Sequence, residues 1–380
     1  MTVFSNIGAR SGPQHSPRMW RAIGLMSGTS LDGIDVAMVE TDGRERVSPG
    51  PALTLPYPQE FRERLRSVLG GEGPVGAVEE ELTRLHAEAV EHFLRGQPRA
   101  AVDVVGFHGH TIFHRPAERR TWQIGDGALL SSRLGLDVVA DFRSADVAAG
   151  GQGAPLAPLY HAALAETLPK PLAVLNIGGV ANVTWIGGRS EILAFDTGPG
   201  NSLIDDWVYR HTGDAADLDG ALARAGAVSA AHVENFLANS YFDRCPPKSL
   251  DRDDFRGALP TGLSLEDGAA TLTEMTAAAV AAATRHFPAP AEQWLVTGGG
   301  RHNPALMEAL ARRLKVSVEP VEAVGWHGDA LEAQAFAYLA VRSLEGLPLS
   351  LPTTTGVSEP YRGGNLFKAP LPSASRLART

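Results

Sequence analysis

The chain contains one cysteine, Cys245, in 380 residues. No internal disulfide can form, and such sparing use fits a reducing compartment. Cys245-Pro246-Pro247 reads as a rigid loop, a poor seat for a nucleophile. No long basic run is present and the formal net charge is −9. That argues against nucleic acid and anionic membrane as the main partners. No apolar run approaches the length of a membrane span; residues 277–283 are too short and read as a tightly packed helix. Residues 1–18 are polar and lack the apolar core of a signal peptide, so they read as a frayed tail on a cytoplasmic protein. Neither a Walker A sequence nor a Gly-x-Gly-x-x-Gly fingerprint occurs, which leaves P-loop and Rossmann readings unsupported.

What is present fits a soluble enzyme: 44% hydrophobic and 20% charged residues, in a length that allows two domains. Strand-like and helix-like stretches alternate, which indicates α/β. Residues 22–26 and 34–39 alternate as strands do and flank a small-residue turn. That turn holds Gly28, Thr29, Ser30, Leu31, Asp32 and Gly33, followed by Ile34 and Asp35. Glycine admits close approach of a ligand, and hydroxyls with backbone N–H groups can cradle phosphate. Asp32 and Asp35 would repel bare phosphate, so a cation or polarised hydroxyl has to intervene.

The pattern of strand, glycine turn and strand recurs at residues 172–186, with Gly178 and Gly179 in the turn. A third glycine turn, Gly298-Gly299-Gly300, follows the strand at 294–297. Strand ends are where α/β proteins bind ligands, so three such turns point to one ligand held between two lobes. The lobes read as 19–168, joined by a return segment 346–380, and 169–345. Asn303 and Pro304 are start signals for the next helix.

Asp196 is the carboxylate singled out. It ends the apolar strand 192–195, and Gly198-Pro199-Gly200 leaves room beside it. A general base fits; capping the next helix fits less well, because Asn201 and Ser202 stand closer to its start. His108, His110 and His114 invite a metal reading, but Gly109 implies a turn and no further ligands complete a set, so a substrate-contact loop is favoured. Arg143 suits capture of a carboxylate; an ion pair with Asp141 or Asp146 is the alternative. Glu332, early in a helix over 329–344, either favours the helix dipole or reaches the ligand.

These segments resemble the anhydro-N-acetylmuramic acid kinases at 24–35, 106–116, 123–127, 138–158, 176–184, 195–201, 247–255, 298–307 and 329–337, in order. The resemblance implies the two-lobed actin-like, hexokinase-like ATPase fold with a deep interlobe cleft. It implies ATP phosphates at residues 28–35, with Asp32 an outer ligand of Mg²⁺. Nucleotide contacts extend to Gly178, Gly179, Gly298, Gly299, Gly300 and Asn303. Asp196, in Asp-Thr-Gly-Pro-Gly, becomes the general base. Arg143 faces the muramyl lactate, and His108, Thr111 and Glu332 line the sugar pocket. The implied reaction opens the 1,6-anhydro ring hydrolytically and phosphorylates O6, giving N-acetylmuramate 6-phosphate and ADP, in a homodimer. Rival readings are a kinase for another anhydrosugar such as levoglucosan, and an ATP-binding regulator without sugar chemistry. Two departures stand out: His110 where the family usually has Gln, and Leu250-Asp251 where it has Thr-Gly.

Overall fold

The computed structural model describes residues 18–28, 31–95, 102–188, 191–252 and 254–371. Residues 1–17 of the expected tail, and Thr29 and Ser30 of the first turn, lie outside the described residues.

The first sheet opens with an antiparallel run of β1 (Trp20–Ser27), β2 (Gly33–Thr41) and β3 (Val47–Pro56). β4 (Val104–Arg115) lies parallel beside β1, and β5 (Arg120–Ile124) folds back on its far part. β6 (Val138–Ala140) pairs parallel with β4. The second sheet is formed by β7 (Leu172–Ile177), β8 (Val180–Ile186), β9 (Ile192–Pro199), β10 (Gln293–Thr297) and β11 (Ser317–Pro320), in the order β11-β10-β7-β8-β9. β12 (Asn365–Phe367) returns to close the edge of the first sheet against β6. The α/β class with two sheets is therefore as expected.

Three local expectations change. β9 runs past Asp196 to Pro199, because pairing with β8 resumes after a bulge at Ala181–Asn182. Asp196 thus sits inside a strand. His108-Gly109-His110-Thr111 also stays in a strand, since Gly109 takes φ +72° and β4 continues. The expected helix from Asp329 begins as a short 3₁₀ turn, Gly328–Ala330, before the helix Leu331–Leu344.

The Leu331–Leu344 helix, drawn from sequence with the second half of the chain, packs on β1, β2 and β4 of the first sheet. Two glycines admit it. A Cβ on Gly24 would run into the Ala333 carbonyl oxygen, and one on Gly106 into that of Phe336. One apolar cluster joins the sheets: Ala22, Val104 and Val139 from the first, Leu172, Val174 and Leu295 from the second, with Phe336 and Tyr160 between. The far face of the first sheet is covered by the helices Gln59–Ser67 and Val75–Phe93, and that of the second by Leu265–Ala283 and Pro304–Leu314. Among the described residues no helix is long and apolar enough to cross a membrane.

Candidate active site

Asp196 is closed over by the 241–250 segment. Its own backbone N–H donates to the Lys248 carbonyl at 3.0 Å, and the Tyr241 hydroxyl donates to its backbone carbonyl at 2.6 Å. The Leu250 N–H donates to its Oδ2 at 2.8 Å. The side chain is buried, and that burial pushes its carboxyl up to about 7, against the pull of the Leu250 N–H and of the Arg143 and Lys248 cations. A carboxylate so placed is a far better base near neutrality than an ordinary one. Lys248 is itself buried and donates to the Tyr241 carbonyl; desolvation lowers its ammonium to about 8. No local sequence signal marks Lys248 or Tyr241 as neighbours of Asp196, because the strand and the 241–250 segment meet only in the fold.

Arg143 makes neither of the ion pairs weighed from sequence. Asp141 accepts from Ser144 N and Asn365 Nδ2, and Asp146 from Gly153 N, Ser350 Oγ and Thr355 Oγ1. Arg143 instead donates through Nε to His108 Nε2 at 3.0 Å and through Nη1 to the Gly153 carbonyl at 2.7 Å. Both partners are neutral. His108 donates its Nδ1–H to the Gly109 carbonyl, and burial with the Arg143 charge holds its pKa well below the ordinary value. The guanidinium charge is attracted at longer range by Glu332, Asp146 and Asp196. Glu332 is exposed, yet the protein around it raises its carboxyl, with Arg143 pulling the other way.

The histidines diverge. His108 meets Arg143, whereas His110 Nδ1 lies 2.9 Å from Ser27 Oγ, which also accepts from the Tyr57 hydroxyl at 2.8 Å. His114 pairs with Thr121. Among the described residues no three His, Cys, Asp or Glu side chains form a metal-holding group. Thr111 accepts from Gln123 Nε2 at 3.2 Å, on the outer part of β4.

The glycine turns cluster. Gly178 and Gly179 carbonyls accept from Asn201 N and Gly200 N at 2.8 Å each, and Asn201 Nδ2 donates to Ile177 O. Gly298 and Gly300 pack on the end of β7 at Asn176 and Ile177, and Gly299 faces Asn201. Asn303 caps the next helix by accepting from Leu306 N, which occupies its carbonyl oxygen. The first turn joins from the other sheet. Leu31 holds φ +60°, a costly conformation for a non-glycine residue, with its N–H on Gly28 O. Gly33 and Ile34 begin β2. Asp35 accepts from Thr54 at 2.6 Å; burial raises its carboxyl to about 6, with Asp32, Glu332 and Asp329 adding repulsion. The hairpin and the start of the Glu332 helix therefore lie close together.

Two α/β sheets that carry glycine turns at strand ends, with a buried carboxylate on one and a guanidinium following the other, define a two-sheet α/β protein with a candidate ligand site. Residues 20–369 match the family model described as Anhydro-N-acetylmuramic acid kinase, and the chain belongs to that family. The anhydro-N-acetylmuramic acid kinase of Paramagnetospirillum magneticum is 63% identical over 90% of this chain and 98% of its own length. The enzyme of the same name from Rhodospirillum rubrum is 57% identical over 92% and 94%. A ROK family glucokinase from Streptomyces griseus, solved with glucose and AMPPNP, covers 83% of this chain and 97% of its own at 13% identity and a TM-score of 0.40.

Proposed function

We propose that this chain uses ATP to open the C1–O6 bridge of 1,6-anhydro-N-acetylmuramate with water and to phosphorylate the released O6. The products are N-acetylmuramate 6-phosphate and ADP. The observation that carries this reading is Asp196: buried, held at one oxygen by Leu250 N–H, and raised to about 7. Such a substrate has no free 6-hydroxyl for a simple kinase base. Asp196 takes a proton from the water that attacks C1; the C1–O6 bond breaks with oxocarbenium character, as in inverting glycosidases. O6 leaves with the bond's electron pair and attacks the γ-phosphorus in line, and ADP departs. Arg143 binds the lactyl carboxylate, while His108, Thr111 and Glu332 shape the sugar pocket.

Phosphates lie against the turn 28–35 and Gly178–Gly179, and the nucleoside near Gly298, Gly299, Gly300 and Asn303. Asp32 and Asp35, the two carboxylates of the first hairpin, would be the residues to face Mg²⁺, Asp32 through water as the resemblance implies. When bound, Mg²⁺ would supply charge neutralisation on the phosphates. The lobe division carries forward with one change: the Leu331–Leu344 helix travels with the first sheet. A homodimer in the cytoplasm rests on the resemblance and on the cysteine-poor, acidic composition.

The test is turnover in ¹⁸O water. Label at the anomeric carbon of the 6-phosphate supports the reading, and label only in inorganic phosphate overturns it. A sugar panel decides between substrates: equal kcat/KM on levoglucosan would favour a general anhydrosugar kinase, and no sugar-stimulated ADP release would favour a regulator.

A further inference from the structure

One buried guanidinium joins the Gly298 turn, assigned to the nucleotide, to the start of the Glu332 helix, assigned to the sugar. Arg301 follows the Gly298–Gly300 turn, and its side chain is 3% exposed. Its Nη1 donates back to the Gly298 carbonyl at 3.0 Å. Its Nε donates to Glu322 Oε1 at 3.0 Å, and its Nη2 lies 2.9 Å from Asp329 Oδ1. Asp329 stands three residues before Glu332, in the 3₁₀ turn that starts the Glu332 helix.

The surrounding bonds lock the same joint. Glu322 Oε1 also accepts from Gly328 N at 3.1 Å, and Thr297 Oγ1 donates to the Gly328 carbonyl at 3.1 Å. Gly328 has no room for a side chain, because a Cβ there would run into the guanidinium. Asp329 in turn lies near enough to Asp35 to raise its carboxyl, so the joint also borders the first hairpin.

We propose that Arg301 is a positioning residue that ties the nucleotide-side turn at Gly298 to the sugar-side helix carrying Glu332, so that binding of one substrate favours binding of the other. This rests on the placement of nucleotide and sugar given above. A planar fork with donors in three directions is needed, since the three acceptors stand on three separate segments; a lysine ammonium cannot reproduce that geometry. A guanidinium with a merely structural role would lower stability and both affinities together. A positioning role shows as lost coupling between the sites, which is a reciprocal quantity.

The experiment is calorimetric titration of 1,6-anhydro-N-acetylmuramate with and without saturating AMPPNP, for wild type, Arg301→Lys and Asp329→Ala. Wild type should bind the sugar at least about 5-fold more tightly when nucleotide is present. In both variants that ratio should fall to within about 2-fold of unity, while sugar affinity without nucleotide stays within about 3-fold of wild type. An unchanged ratio, no coupling in wild type, or a parallel loss of both affinities that tracks the melting temperature overturns the proposal. If Arg301→Lys fails to fold, Asp329→Ala decides alone, because the Asp329 side chain is 56% exposed and its loss removes only one arm of the fork. Failure of wild type to bind the sugar overturns the functional reading and the role of Arg301 with it. Normal turnover with an unchanged ratio overturns Arg301 only.

Discussion

The backbone N–H of Leu250 donates to Asp196 Oδ2 at 2.8 Å. Because the donor is backbone, Leu in place of the family's usual Thr leaves this contact intact. An asparagine oxygen can accept the same bond, so Asp196→Asn removes the base without stranding the donor. Turnover should fall by at least ~100-fold while ATP affinity stays unchanged. In wild type, kcat/KM for the sugar should rise with pH through about 7, as the carboxyl ionises. Rates near wild type in the variant, with the same pH profile, would remove Asp196 from the role of base.

The same carboxyl makes stability depend on pH. Its folded value of about 7 lies above the ordinary 3.8, so folding favours the protonated form. That contribution is complete below about 3.8 and is lost as pH rises through about 7. Asp196→Asn escapes the loss. The variant should equal wild type near pH 4 and exceed it at pH 8.5 by on the order of 4 kcal/mol. Urea unfolding at both pH values measures this; a constant difference between the two proteins would show that Asp196 is not strained by burial.

Arg143 donates to His108 Nε2 and Gly153 O, two neutral acceptors that aim the fork without neutralising it. Arg143→Lys keeps the charge but cannot hold both bonds and a substrate carboxylate together. KM for the muramyl sugar should rise by about 10-fold or more, the scale of one charged hydrogen bond. KM for ATP, and for an anhydrosugar without the lactyl group, should change little. Equal effects on both sugars would rule out the lactate contact.

Much of this architecture was legible in the chain. The hairpin around Gly28, the β7–β8 turn at Gly178 and the capped helix after Asn303 are local, and alternation and cap residues report on local structure. Asp196 also stood out, through the glycines that follow it. What was not legible depends on contacts between distant segments. Lys248, Tyr241 and Leu250 surround Asp196 only after the second sheet has formed. The expected divergence of β4 at Gly109 failed because pairing with β1 and β5 outweighs one glycine at φ +72°. Arg143 was open between two nearby aspartates, and the fold gives both of them other donors.

Ser27 carries a buried pair of bonds beneath the first turn, from the Tyr57 hydroxyl and with His110 Nδ1. Ser27→Ala strands both partners in a dry place. Each unsatisfied buried group costs roughly 1–3 kcal/mol, so the variant should lose about 2–6 kcal/mol in urea unfolding. His110→Gln retains an acceptor for the Ser27 hydroxyl and should cost less than about 1 kcal/mol. If Ser27→Ala matches wild type, this network is not what holds the entry to the turn.

The seat of the Leu331–Leu344 helix depends on two missing side chains. At Gly24 and Gly106 an added methyl would meet backbone carbonyls, at Ala333 and Phe336, which cannot rotate away as a side chain can. The helix must then lift from β1 and β4 along its first turns. Overpacking of this kind costs about 1–3 kcal/mol or more. Glu332, one residue before Ala333, would be carried off with it. Gly24→Ala should therefore lower stability by about 3 kcal/mol and also raise KM for the sugar. Gly135→Ala serves as the control: its φ is +63° but its Cβ meets nothing, so it should lose stability from backbone strain alone and leave KM unchanged. A Gly24→Ala protein that loses stability but keeps its KM would mean that the helix position does not set the sugar pocket.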